Sequence, residues 1–373
     1  MGVALVKVIF AGGGTGGHIN PAISIADYAK SVDDDFKALF IGTRKGLEKK
    51  LVPAAGYDIE YIDIEGFDRK NMLRNVRVLK KLVEARKRCR EIIRGFKPDC
   101  VVCTGGYVSG PVAMAAYREG VSALIHEQNV YPGLTVRGSE KYVDYVAVSF
   151  DETEQFLKDK KKCVVTGNPI RSEILNADKA AARKKLGIKG KYVLIFGGSL
   201  GADRINEAVV SMLPKFKENK KLQLLFGTGE RNFSKVSAAA AAAGITPSER
   251  NITITPYINN MADVMAAADL VVARSGAITV SEIAALGKPS ILIPSPNVVR
   301  NHQEQNAREF ERHGAAEVIT EAELTPELLY EKIETLLGDE TKLSAMSENL
   351  KQLARTDALE RIYELMQKMT DKA

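Results

Sequence analysis

Short apolar runs alternate with amphipathic stretches along the whole chain. The runs VALVKVIFA, KALFIG, PDCVVCTGG, SALIHEQN and YVAVSF are rich in β-branched residues and read as strands, with helical patterns between most of them. After TGNPIR, at 166–171, the pattern restarts with YVLIFGG, LQLLFGTG, NITITPY, LVVARSG and SILIPSP. Alternation of this kind predicts parallel sheets covered by helices, and the restart predicts two such units in tandem. Each unit opens in the same way, as strand, glycines and helix: VIFAGGGTGGHINPAISIADYA in the first, LIFGGSLGADRINEAVVSML in the second. The expected fold class is α/β, two Rossmann-like domains facing an interdomain cleft. The domain bounds are expected at 1–168 and 169–354, with a hinge around Asn168-Pro169.

The length of 373 residues agrees with two domains of roughly 100–200 residues each. The opening run, Val3 to Phe10, is short and lacks a basic leader, so no signal peptide is expected. No stretch approaches the ~20 apolar residues of a membrane span. Val6 stands where a myristoylation signal needs Ser or Thr. A cytosolic protein is expected. Cys100 and Cys103 form a C-x-x-C, but inside an apolar run, which predicts two thiols on a buried strand. Cys89 and Cys163 are isolated and supply no second pair for zinc.

Charge alters the picture more than composition does. Of the net +6, the segment Arg69–Lys97 carries twelve Lys/Arg against Glu84 and Glu91, or +10, which leaves about −4 for the rest. A concentrated basic helix on a mildly acidic body predicts one anionic partner surface and no general affinity for nucleic acid.

The chemistry concentrates in glycine loops. Gly12, Gly14 and Gly17 spell the dinucleotide fingerprint after a strand and before a helix. Its physics is generic: glycines permit close backbone approach, and helix N-terminal amides favour negative charge. A nicotinamide cofactor would want an acid ending the second strand, where FIGTRKG offers Arg44, so an NADP enzyme stays open as an alternative. His18 and Pro21, read as lying in the first helical turn, are odd for that loop. The second loop, Gly197 to Gly201, adds the Ser199 hydroxyl at another helix start and suits a phosphate or diphosphate. In ARSGAITVSE, Glu282 falls in the first turns of a helix, where it either accepts from two vicinal ribose hydroxyls or complements the helix dipole. His18, His126 and His302 each lie at or beyond the C-terminal mouth of a predicted strand, in polar company, which favours a site. Their scatter fits no metal-ligand spacing, so neither a metal nor a cofactor is expected.

Taken in order, GGGTGGH at 12–18, TGGYVSGP at 104–111, HEQN at 126–129, TGNPIR at 166–171, GGSLGA at 197–202, RSGAITVSE at 274–282 and NHQEQNA at 301–307 resemble the MurG family. These are the N-acetylglucosaminyltransferases that convert lipid I to lipid II in bacterial peptidoglycan synthesis. The resemblance runs over essentially the whole chain, with one departure, Val136 where relatives usually carry Asn. It implies a GT-B fold, with the acceptor held by the first domain, UDP-GlcNAc by the second, and a C-terminal helix at about 355–373 returning to the first. Carried over by motif, Ser199 and Arg171 would face the diphosphate, Glu282 the ribose, and the Ile258 backbone the uracil. Ala277, Ile278, Thr279, Val280, Ser281 and Gln303 would line the donor site. Asn129 with Thr15, Gly16 and Gly17 would close on it from the other domain. Gly105, Gly106 and Tyr107 would lie on the acceptor side.

The opening loop is then expected to cradle diphosphate. The reaction implied is a single inverting displacement, with His18 as the first candidate for the base and Glu127 as the second. The expected partners are UDP-GlcNAc, lipid I and an anionic inner-leaflet surface, the last met by the basic 69–97 region at the cytoplasmic face of the membrane. In that region Met72, Val76, Leu79 and Val83 recur near helical spacing, so the segment reads equally as a helix covering the first domain. A non-catalytic UDP-sugar sensor is the remaining alternative.

Overall fold

The computed structural model describes residues 7–66, 72–198, 201–246 and 248–370. The chain divides into two compact units, Met1–Ile170 with Arg355–Ala373, and Arg171–Ala354.

In the first unit β1 (Lys7–Gly12), α1 (Gly16–Val32), β2 (Lys37–Gly42), α2 (Glu48–Ala54) and β3 (Asp58–Tyr61) alternate. Then come α3 (Met72–Phe96), β4 (Cys100–Gly105), α4 (Gly106–Glu119), β5 (Ala123–Glu127), α5 (Leu134–Ser139), β6 (Tyr145–Val148) and β7 (Cys163–Val165). The second unit begins with α6 (Ser172–Leu175), α7 (Lys179–Leu186), β8 (Lys191–Phe196), α8 (Asp203–Glu218), β9 (Leu222–Gly227) and α9 (Phe233–Ala242). It continues through β10 (Ser248–Glu249), β11 (Ile252–Thr255), α10 (Met261–Ala267), β12 (Leu270–Ala273), α11 (Ala277–Ala285) and β13 (Ser290–Leu292). It ends with α12 (His302–Arg312), β14 (Glu317–Val318), α13 (Pro326–Gly338) and α14 (Glu340–Leu353). Helix α15 (Ala358–Thr370) belongs to the first unit.

The first sheet runs β3-β2-β1-β4-β5-β6-β7, and every neighbouring pair is parallel. The second runs β10-β11-β9-β8-β12-β13-β14, parallel but for the β10–β11 pair. Strand order therefore reverses between β1 and β4 in one unit and between β8 and β12 in the other. Ligands of open α/β sheets bind at such switch points, beyond the carboxyl ends of the strands.

The central strands are buried on both faces, which explains their continuous apolar runs. On β1, Val8 and Phe10 face a cluster completed by Ile19, Ile25, Ile362, Met366 and Met369. Ile9 and Ala11 face the opposite cluster, with Val112, Cys89 and Ile93. Helix α15 thus fills part of one face of the first sheet.

Two expectations need correction. Pro21 lies beyond the first turn of α1, inside the helix. On α3, Leu79 and Val83 are exposed, and the stripe packed on the domain is Val78, Ala85, Cys89, Ile92 and Ile93. The side chains of Met72 and Val76 lie outside the described residues.

Candidate active site

At the first switch point the chain leaves β1 through Gly14, whose φ of +90° suits glycine, and enters α1 at an extended Thr15. This places His18 beside the end of β4. Its Nδ1 lies 3.0 Å from the Thr104 carbonyl and 3.1 Å from Gln128 Oε1. A carbonyl only accepts, so Nδ1 carries the proton and Nε2 the lone pair. Nε2 has no hydrogen-bond partner among the described residues. Burial pushes the imidazole below its ordinary pKa, against the opposing pull of Gln128 and Thr104, so it is neutral at pH 7. Thr104 holds the residue twice, because its Oγ1 also donates to the His18 carbonyl at 2.7 Å. Gly105, with φ +102°, makes room for the ring: a Cβ there would lie 2.7 Å from His18 Nδ1.

Glu127 has another task. Its Oε1 accepts from the Asn129 backbone N–H at 2.9 Å and from Asn129 Nδ2 at 3.0 Å, and its Oε2 accepts from Gly133 N–H at 2.7 Å. The carboxylate is buried and organises the 129–133 loop. His126 lies at the C-terminal end of β5 as expected, but it is fully buried and donates through Nε2 to the Gly167 carbonyl at 2.9 Å. Burial lowers its pKa to about 4. Two of the three histidines read as site residues, His18 and His302, lie in helices that follow strands; His126 is part of the interior.

The opening loop is not a free cradle. The Glu48 carboxylate, fully buried, accepts from Gly14 N–H at 3.0 Å and from Thr43 N–H and Oγ1 at 2.9 and 2.7 Å. The Gly14 amide, the second glycine of the fingerprint, is thus paired with a chain carboxylate. Arg44 is stacked on Tyr61, 4.6 Å from the ring centroid. Both features oppose the NADP reading. Gly105 N–H is likewise taken, by Ser109 Oγ at 3.0 Å. Gly106, with φ +74°, lies so close to Gly13 that a Cβ would come within 2.2 Å of its carbonyl oxygen, and the Tyr107 ring lies against Gly14. Of these three positions Gly105 adjoins His18, while Gly106 and Tyr107 pack against Gly13 and Gly14. Val136 is buried in the same apolar cluster as Val112.

In the second unit, Glu282 is buried on α11, directly after the switch-point strand β12. Arg171 donates to Glu282 Oε1 through Nη2 at 3.0 Å and Nε at 3.3 Å. Burial raises the Glu282 pKa and Arg171 opposes the rise. Ala277, Ile278, Thr279, Val280 and Ser281 form the first turns of α11, whose first turn holds no acid and whose N-cap is Gly276. The Gln303 backbone carbonyl accepts from Ser275 Oγ at 2.8 Å, and its Oε1 accepts from Ser295 N–H at 2.9 Å. Its side-chain NH2 has no partner among the described residues. Ile258 is buried after β11, and its Cδ1 would lie 2.9 Å from a Cβ at Gly227. Ser199 lies outside the described residues. Of its loop, Gly198 and Gly201 have φ of +88° and +76° and are joined by a 3.0 Å bond. Among the described residues no helix is long and apolar enough to cross a membrane.

The glycosyltransferase family 28 N-terminal domain matches residues 8–148, and the family's C-terminal domain matches residues 192–362. This chain belongs to glycosyltransferase family 28. Family relatives named UDP-N-acetylglucosamine–N-acetylmuramyl-(pentapeptide) pyrophosphoryl-undecaprenol N-acetylglucosamine transferase match over nearly their full length. The one from Acetivibrio thermocellus is 50% identical over 97% of both chains. The one from Bacillus licheniformis is 43% identical over 99% of this chain and all of its own. Among solved structures, MurG of Acinetobacter baumannii aligns with a TM-score of 0.77 at 28% identity, over 97% of this chain and 99% of that one. The fold is GT-B.

Sequence reasoning missed Thr104, Gln128 and Glu48. Gln128 was visible inside HEQN; nothing local marks Glu48, which reaches the loop from 34 residues away.

Proposed function

We infer that this chain transfers N-acetylglucosamine from UDP-GlcNAc to the C4 hydroxyl of undecaprenyl-pyrophosphoryl N-acetylmuramoyl-pentapeptide, forming a β-1,4 bond. The observation that carries this reading is near-full-length similarity to enzymes named for the reaction, at 50% identity for one of them. The hydroxyl gives its proton to His18 Nε2 while its oxygen attacks C1 of the sugar. The C1–oxygen bond to UDP breaks with inversion, and its electron pair leaves on the diphosphate. His18 is suited to this by its fixed tautomer and neutral state. Negative charge on the leaving group is met by Arg171 and the N-termini of α8 and α11, and the motif carries Ser199 over as a further donor. Glu282 accepts from the ribose, the Ile258 backbone reads the uracil, and the Gln303 amide donates to the donor.

The enzyme works at the cytoplasmic face of the membrane, and α3 contributes to docking there. Leu79 and Val83 are exposed on it, and Lys80, Arg86, Lys87 and Lys97 have no ion-pair partner among the described residues.

Incubation with labelled UDP-GlcNAc and a lipid I analogue tests the activity. Label is expected in the lipid fraction with UDP-GlcNAc and not with UDP-galactose. In parallel, UDP-GlcNAc at about 100 times its dissociation constant should stabilise the protein by about 2.7 kcal/mol. Stabilisation by NADPH alone would overturn the assignment.

A further inference from the structure

We infer that Gln128 is a positioning residue for the transfer, reading the buried interior of the first unit out to His18 so that Nε2 stays the proton acceptor. This rests on His18 being the base. The chain of hydrogen bonds admits one arrangement. The Gly167 carbonyl, which only accepts, takes the His126 Nε2 proton at 2.9 Å. His126 Nδ1 is then a lone pair and accepts from the Gln128 amide at 3.0 Å. The same amide nitrogen lies 2.9 Å from the Thr104 carbonyl and 3.2 Å from the His126 carbonyl.

Turning the Gln128 amide over would set its oxygen against three acceptors, so the orientation is locked. Its Oε1 therefore faces His18 and requires a proton on Nδ1. Gln128 and His126 are both buried, 3% and 0% exposed, and neither has other work that the reaction requires. The amide is neutral. It supports the imidazolium as the base takes its proton, yet holds no charge that would keep the ring protonated beforehand.

Three variants test this. In Gln128→Met the Nδ1 proton loses one acceptor. We expect kcat to fall about tenfold, a fraction of the roughly 10²–10⁴-fold that a general base contributes, because Thr104 still holds Nδ1. The KM for UDP-GlcNAc should stay unchanged, and the acid limb of the pH profile should move to lower pH. In Gln128→Glu an oxygen replaces the amide nitrogen against three acceptors, so the carboxyl should keep a proton to donate there, leave its other oxygen to Nδ1, and hold the limb near its wild-type position. Gln128→Asn, which keeps the amide but shortens its reach, takes the place of Gln128→Met if that variant fails to fold. The chain has four histidines, so nitrogen NMR can read the His18 tautomer directly. The Nδ1–H form is expected in the wild type, with its Nδ1–H signal perturbed in each variant.

His18→Ala separates the two ideas. If it leaves turnover intact, the base reading fails. If it abolishes turnover while the Gln128 variants keep the wild-type kcat, pH limb and His18 signals, the role of Gln128 alone is refuted.

Discussion

Glu282 and His126 are both buried titratable groups, and their surroundings give them opposite consequences. Donor binding needs the Glu282 carboxylate ionised to accept from ribose hydroxyls. Because burial raises its pKa, affinity for UDP-GlcNAc should begin to fall at a higher pH than an exposed glutamate would give. Calorimetric titration from pH 7.5 downward checks this. Glu282→Gln should bind the donor at least about tenfold more weakly at neutral pH and show little further loss on acidification. His126 bears on stability instead. The fold keeps it neutral down to about 4, whereas the unfolded chain takes up a proton near ~6.5. Its contribution is thus fully present above pH ~6.5 and is lost as pH falls toward 4, for a total of about 3 kcal/mol. Urea midpoints for the wild type and His126→Leu should converge as pH drops across that window. The motifs containing both residues were legible in the sequence. What separated His18 from His126 was not: both sit beside glycine-rich or polar segments, and only the three-dimensional register shows one ring recessed at a helix start and the other walled into β5.

Among the elements, β4 was the easiest to read and α3 the hardest. In a strand, residues three apart point to opposite faces, and Cys100 and Cys103 indeed belong to different apolar clusters. That geometry rules out a bridge or shared metal between them, and burial raises both thiols, Cys103 to about 12. Helix α3 misled because its apolar residues cover more than one face. A spacing that joins Leu79 to Val83 is sound helical periodicity, but Ala85, Cys89 and Ile92 supply the packing. Much of its positive charge is also spent locally, since Lys81 pairs with Asp63 and Glu65, and Arg90 and Arg94 with Glu119. The docking proposed for α3 draws on the cations that lack an ion-pair partner among the described residues, worth up to ~1 kcal/mol each near an anionic surface, together with Leu79 and Val83. Flotation with vesicles containing anionic lipid should show binding that falls with salt. Leu79→Asp with Val83→Asp should weaken it by at least about tenfold while leaving the melting temperature nearly unchanged. Binding indifferent to lipid charge and to both substitutions would remove α3 from the interface.

The whole molecule is built from one plan used twice, and the repeat of strand, glycines and helix announced it. The sheets share the β3-β2-β1-β4 type of reversal because each begins at its centre and winds outward in both directions. Local pattern does not say which sheet a terminal helix will cover. Helix α15 carries Leu359, Ile362, Tyr363, Leu365, Met366 and Met369 into the cluster around Phe10 and Phe40, and Tyr363 meets Tyr28 edge-on at 5.9 Å. A chain ended after Ala354 should therefore lose the stability of the first unit while the second still binds UDP-GlcNAc. Limited proteolysis and donor titration of that truncated form would show it; an undiminished first unit would contradict the packing.

The same helix imposes a schedule on synthesis. The strands of the first sheet have all been synthesised once Val165 is added, but the part of the Val8 and Phe10 face that α15 covers waits for residues 358–370. At usual elongation rates that wait is about 10 to 40 s. Throughout it a nascent chain shows a greasy sheet to its neighbours while the second unit, contiguous in sequence, is free to close. The unit that begins first is finished last, and its early life depends on whatever shields that face in the interval.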